Sequence, residues 1–320
     1  MSDYPLGHPL GSTPAHPSPL ADERNRLPGL GNSGALEGTT TPAKRPSHRR
    51  LSATGITAIA DQLSDRDLAI IRSIDDHRFL TVRQIRTIHF ADLAPTSGQR
   101  TTKRVLARLR GLGVISALTQ RIGGVRAGSD GLVHYVDSVG DRILRQRSGR
   151  GARRRYEPSA RFVHHRLVVA AAHIALITAN RHGGLDVVAT AVEPATWRPY
   201  IGVGGTRRTL KPDLFAETAT ADELVYAWFV EIDLGTEHIP TLLSKCREYE
   251  AYRRAGIEQE RHGSFPLVVW SMTHQDPATA KRRRQALAAA IAADRSLPSA
   301  LFRIVAPDDV VPLMQTGGAE

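Results

Sequence analysis

The chain has 320 residues, of which 41% are hydrophobic and 5% aromatic; at ~100–200 residues per domain that is enough for two domains with aliphatic cores. Cys246 is the only cysteine, which excludes an intrachain disulfide framework and a cysteine-based zinc site. The formal charge of +11 is concentrated, since 15 Lys and Arg stand against 4 Asp and Glu between Ser97 and Arg161, and this suits a polyanionic partner better than uniform solubilisation would.

Eight of the 19 prolines lie before Arg50. Residues 1–55 are expected to be a disordered tail, because such a composition offers no core. Its basic end, Lys44-Arg45-Pro46-Ser47-His48-Arg49-Arg50, is read either as a solvated linker or as an added phosphate contact. Residues 1–50 hold no apolar signal core, and the longest apolar stretch, Leu167 to Ala179, is broken by His173 and falls short of the ~20 residues that span a bilayer. A cytoplasmic location without membrane contact is therefore expected.

Ser64 reads as the N-cap of a helix with Leu68, Ile71 and Ile74 as its buried stripe. A second helix starts at Thr81, and a third runs from Gln99 to about Leu112, ending at Gly113. The third is amphipathic: Thr102, Val105, Leu106, Leu109 and Leu112 face inward, while Arg100, Lys103, Arg104 and Arg110 lie opposite. Strands over Val114 to Thr119 and Leu132 to Ser138 flank a glycine-rich connection carrying Arg121 and Arg126. Helix, helix, basic helix and hairpin, in that order, predict a winged helix-turn-helix over residues 56–141. The third helix would then read the major groove of double-stranded DNA with Arg100, Lys103, Arg104 and Arg110, and Arg121 and Arg126 would hold phosphates from the wing.

Residues 142–158 carry seven arginines between Arg142 and Arg155 and are expected to be a basic linker. Over 159–306 the pattern predicts a helix from Arg161, strands at Asp186 to Val192, Lys211 to Ala216 and Val225 to Ile232, then helix, strand, helix and a last strand at Phe302 to Val305. This is a mixed sheet with helices on both faces, so the fold class is α+β with an α/β second domain, followed by a C-terminal tail over 307–320. Gly202-Val203-Gly204-Gly205 precedes a strand and reads as a hairpin rather than a phosphate loop. His164, His165 and His173 share a predicted helix and read as surface or packing residues, and Cys246 as inert packing.

Candidate chemistry lies at Pro212-Asp213 and Glu231-Ile232-Asp233, each at the edge of a predicted strand. Glu231 and Asp233, two apart, share a strand face, and Asp213 joins them from the neighbouring strand. Three convergent carboxylates can hold Mg²⁺, which would polarise a phosphate and activate water. The pattern resembles the PD-(D/E)xK nuclease superfamily, whose metal site comes from a Pro-Asp and a following D/E-x-K. The motif's lysine position is Asp233 here, whereas Lys245 stands one helix on, as in members where the lysine migrates. Lys245 and Tyr249 look like the Gln-x-x-x-Tyr element of RecB-type nucleases. The resemblance therefore implies Asp213, Glu231, Asp233, Lys245 and Tyr249 as catalytic residues, with the three acids as metal ligands.

Taken together, Leu63-Ser64-Asp65-Arg66-Asp67, the Arg104 to Gly113 stretch, His165-Arg166-Leu167, Pro212-Asp213 and Glu231-Ile232-Asp233-Leu234-Gly235-Thr236-Glu237 resemble the replication-relaxation family of plasmids and mobile elements. That resemblance implies a role in plasmid replication or transfer, with double-stranded DNA, a second copy of the chain, or other replication and transfer proteins as partners. An active Mg²⁺-dependent nicking endonuclease and a winged-helix transcription regulator stand as alternatives.

Overall fold

The computed structural model describes residues 52–119, 131–148, 158–220 and 223–318, all within one compact unit spanning Arg50–Glu320. Arg121, Arg126 and the linker residues 149–157 lie outside the described residues, as does the tail before residue 52.

Helix α1 (Ala53–Ala60) starts inside the segment expected to be tail. Ser52 caps it, and Ile56 is fully buried. The helix thus begins three residues before the expected boundary at residue 56, with Ile56, Ile59 and Ala60 supplying its packed face. Helix α2 (Asp65–His77) opens on a reciprocal capping box, with Ser64 N–H donating to Asp67 Oδ2 at 2.9 Å and Asp67 N–H to Ser64 Oγ at 3.2 Å. Thr81 and Gln84 repeat the device at the start of α3 (Val82–His89), which follows the two-residue strand β1 (Leu80–Thr81). Helix α4 (Pro95–Gly111) begins a turn earlier than expected, because Pro95 fits the first helical position, where no backbone donor is needed. Strands β2 (Ile115–Ala117) and β3 (Val133–Val136) follow, and the small antiparallel sheet has the order β1-β3-β2.

Helix α5 (Ser138–Ser148) occupies the first half of the expected linker. Ile143 anchors it in the core shared by α1 to α4, with Val139 and Leu144 packed beside it, a short apolar face that the surrounding arginines obscure in sequence. Helix α6 (Ala160–Arg181) follows, 22 residues long, and by length and composition it could cross a membrane. Its apolar residues are used inside the protein instead. Ala170 and Ile174 complete the first core, while Val169 and Leu176 pack in a second with the main sheet. Three polar ties reinforce this position. Gln84 donates to Leu167 O at 2.8 Å, Arg181 donates to Thr87 O and Ile88 O at the end of α3, and buried Arg166 donates to Glu193 Oε2 at 2.8 Å.

The main sheet is built from β4 (Asp186–Val192), β7 (Leu214–Ala219), β8 (Val225–Asp233), β9 (Leu267–Met272) and β10 (Phe302–Val305), in the order β10-β9-β8-β7-β4. Neighbours β4, β7 and β8 pair antiparallel, and β8, β9 and β10 pair parallel, which is the mixed sheet the sequence predicts. Between β4 and β7 the chain makes the expected hairpin, β5 (Arg198–Ile201) and β6 (Arg207–Leu210). One face of the main sheet carries α7 (Ile239–Arg254) and α9 (Pro277–Ala293), with α8 (Ile257–His262) beside them, and the other carries α6. Residues 307–320, expected as a tail, contain α10 (Val310–Gln315), whose Val310 and Met314 are buried against Trp228 and Val230 on the α6 side.

Candidate functional site

Strand β8 is apolar on both faces until its last three residues, where Glu231 and Asp233 bring two buried carboxylates to the C-terminal end of this central strand. Each is reached by a different helix. Glu231, 1% exposed, accepts from Lys245 Nζ and Tyr249 Oη, both on α7 and four residues apart on one helix face. Asp233 accepts from Arg283 of α9 at 2.8 Å and from Gly235 N–H at 3.1 Å. Gly235 takes φ +76, and a Cβ there would stand 2.6 Å from the His274 ring, so only glycine allows this turn. Asp213, just before β7, accepts from Ile232 N–H at 2.9 Å and pairs with His165 Nε2 at 3.0 Å.

His165, Asp213, Glu231, Asp233 and Lys245 border a cavity of about 330 Å³ that is also lined by Arg161 and Trp270. Burial drives the Glu231 carboxyl up to about 7, with Asp213 adding to the rise and Lys245 opposing it. Burial works against the Lys245 ammonium, but Glu231 and Asp213 outweigh it and hold the lysine protonated. Burial likewise opposes charge on Asp213 and His165, and the hydrogen bond between them reverses the outcome, lowering the aspartate and raising the histidine. Cys246, fully buried beneath the site, has its thiol pushed up to about 12 by burial, as expected of inert packing.

The five expected residues Asp213, Glu231, Asp233, Lys245 and Tyr249 all lie within this one network, but Glu231 and Asp233 turn to different helices. All six carboxylate oxygens of the three acids accept from protein donors. Among the described residues there is no group of three or more His, Cys, Asp or Glu placed to hold a metal. The arrangement does not fit Mg²⁺: Lys245, His165 and Arg283 already supply the positive charge that a cation would bring. His165 and Arg283 are the members sequence reasoning missed. The only signal for His165 was its place in His165-Arg166-Leu167. His173 also departs from a plain packing role, linking His77 Nε2 at 2.9 Å to Thr190 Oγ1 at 2.8 Å.

A second candidate surface is α4. Its inward face is as expected, with Thr102, Leu106 and Leu109 buried. Arg100, Arg104 and Arg110 are exposed and have no carboxylate partner among the described residues. Arg108 is spent internally, its Nη2 lying 2.6 Å from both oxygens of buried Asp67. Burial raises the Asp67 carboxyl, but Arg108 and Ser64 outweigh it and leave it lowered.

Neither a search of curated proteins nor one of solved structures found a match. Residues 71–268, from the middle of α2 to the start of β9, match the family described as replication-relaxation. That match takes in more than half of the chain, including α4 and every member of the acidic network except Arg283. The chain therefore belongs to the replication-relaxation family, and its function is related to replication.

Proposed function

We propose that this is a cytoplasmic DNA-binding protein of plasmid or mobile-element replication, in which α4 is the reading helix of a winged helix-turn-helix. The α/β domain is a PD-(D/E)xK-like scaffold whose acidic site serves as a neutralised network rather than a metal-dependent nicking centre. The observation that carries the reading is the solvent face of α4, where Arg100, Arg104 and Arg110 stand without acidic partners among the described residues while the opposite face is packed. Ala107 and Gly111 lie exposed on the same side, so the helix backbone can approach a groove closely. The order α2, α3, α4 and then an antiparallel sheet supports the reading, as does the family's link to replication.

Replacing Arg100, Lys103 and Arg104 together with Ala is the direct test. Fluorescence anisotropy on duplex DNA should show affinity reduced by several kcal/mol if two or more of them touch bases, at ~1–3 kcal/mol per bidentate contact. Wild-type binding should fall steeply with salt as counterions are released. Salt-insensitive binding, or an unchanged affinity in the triple variant, would remove α4 as the reader.

A further inference from the structure

The hairpin β5–β6 forms a two-stranded ribbon of its own, separate from the main sheet. Its base is fixed. Tyr200 and Leu210 are buried with Tyr252, Arg198 donates to Glu258 Oε1 at 3.0 Å, and Thr196 Oγ1 donates to Pro212 O. Its outer part is bare. Arg207, Arg208 and Lys211 are exposed, and none has a carboxylate partner among the described residues. The two acids near the base are already committed, Glu258 to Arg198 and Tyr252, and Glu193 to Arg166 and Trp197. Lys211 Nζ stands 4.7 Å from the centroid of the Trp197 ring. At the tip, Val203 is 99% exposed, between Gly202 and the consecutive glycines Gly204 and Gly205, which take φ +73 and +75. Ile201 beside it is 59% exposed. A fixed base, three exposed cations without a carboxylate partner among the described residues, and an apolar tip held in water are features of a β-ribbon that enters a nucleic-acid groove and contacts its phosphates.

We propose that the β5–β6 ribbon is a second DNA contact, separate from α4, in which Arg207, Arg208 and Lys211 take duplex phosphates and the groove covers Val203. The inference rests on the DNA-binding reading above. Duplex DNA is the occupant favoured by charge complementarity, because Arg207, Arg208 and Lys211 offer three exposed positive charges with no carboxylate partner among the described residues. The ribbon also springs from the rim of the acidic network, since Lys211 is two residues from Asp213.

The test uses the full chain and a duplex of about 30 base pairs, with anisotropy measured over a salt series; the slope of log K against log salt is about 0.9 per phosphate contact. Arg207→Ala/Arg208→Ala/Lys211→Ala should lower affinity at least about tenfold at moderate salt and reduce the slope by about 2 to 3. Val203→Ser should weaken binding severalfold without changing the slope, since no charge is lost. Thermal melting should be unchanged in both variants. A ribbon variant that binds like wild type, while the α4 variant is weakened, would overturn this proposal alone. A wild-type chain that fails to bind duplex DNA would overturn the ribbon and the α4 reading together.

Discussion

Lys245→Met isolates the electrostatics of the acidic network. Glu231 is 1% exposed and would keep only the Tyr249 hydroxyl, so its remaining charge would be buried without a cation. Removing one partner of a buried pair costs about 3–5 kcal/mol when the survivor stays charged. Glu231 has an escape, however, because its carboxyl already titrates at about 7 and moves higher once Lys245 is gone. With its folded pKa raised above the ordinary 4.5, stability from this group is complete below 4.5 and is lost as pH rises through about 7. The penalty of the substitution should therefore depend on pH. Near pH 5 the carboxyl is protonated in the variant, and the loss should be about 1 kcal/mol, that of a single hydrogen bond. Near pH 9 the carboxyl is forced to ionise, and the loss should reach about 3–5 kcal/mol. Urea unfolding followed by circular dichroism across this range would measure both ends, and Lys245→Met/Glu231→Gln should flatten the profile. A penalty that is constant with pH, or absent, would refute the view that Lys245 compensates a buried carboxylate.

Two further outcomes follow from the same geometry. Supercoiled plasmid incubated with the protein and Mg²⁺ should stay supercoiled, and chelation should leave DNA affinity unchanged; nicking that disappears in Asp213→Asn would show that the carboxylates rearrange around metal. Burial lowers the His173 imidazole from its ordinary 6.5 to about 4, so its contribution is complete above 6.5 and is lost as pH falls toward 4, amounting to about 2 kcal/mol by pH 5. His173→Gln should remove that part of the acid sensitivity in urea unfolding, and parallel pH profiles for variant and wild type would exclude it.

The elements that were legible in the sequence are those whose signals are local. Ser64 and Thr81 cap their helices through residues three positions away, and the strands Asp186–Val192 and Phe302–Val305 have the bounds their apolar runs predict. What was hidden is held by a few anchors in an unpromising context: Ile143 with Val139 and Leu144 among arginines, and Val310 and Met314 near residue 320. The acidic site divides the same way. The convergence of Asp213 and Glu231 followed from adjacent strands, and Lys245 and Tyr249 were added by the nuclease resemblance, whereas His165 approaches Asp213 from 48 residues upstream and Arg283 reaches Asp233 from 50 residues downstream. Such partners depend on how α6 and α9 cross the sheet, which no local pattern encodes. The spacing of Glu231 and Asp233 correctly put them on one face, but it could not show that different helices would claim them.

Helix α6 lends one set of residues to the core of α1 to α5 and another to the main sheet, with Arg166 and Arg181 tying it to either side. A hybrid gene that joined this α/β half to a foreign N-terminal half would have to import a surface matching Ala170 and Ile174, or leave that face of the helix wet. The two halves are thus poorly suited to exchange as independent cassettes, and their lineage should record joint descent, with changes in one half answered by changes along this helix.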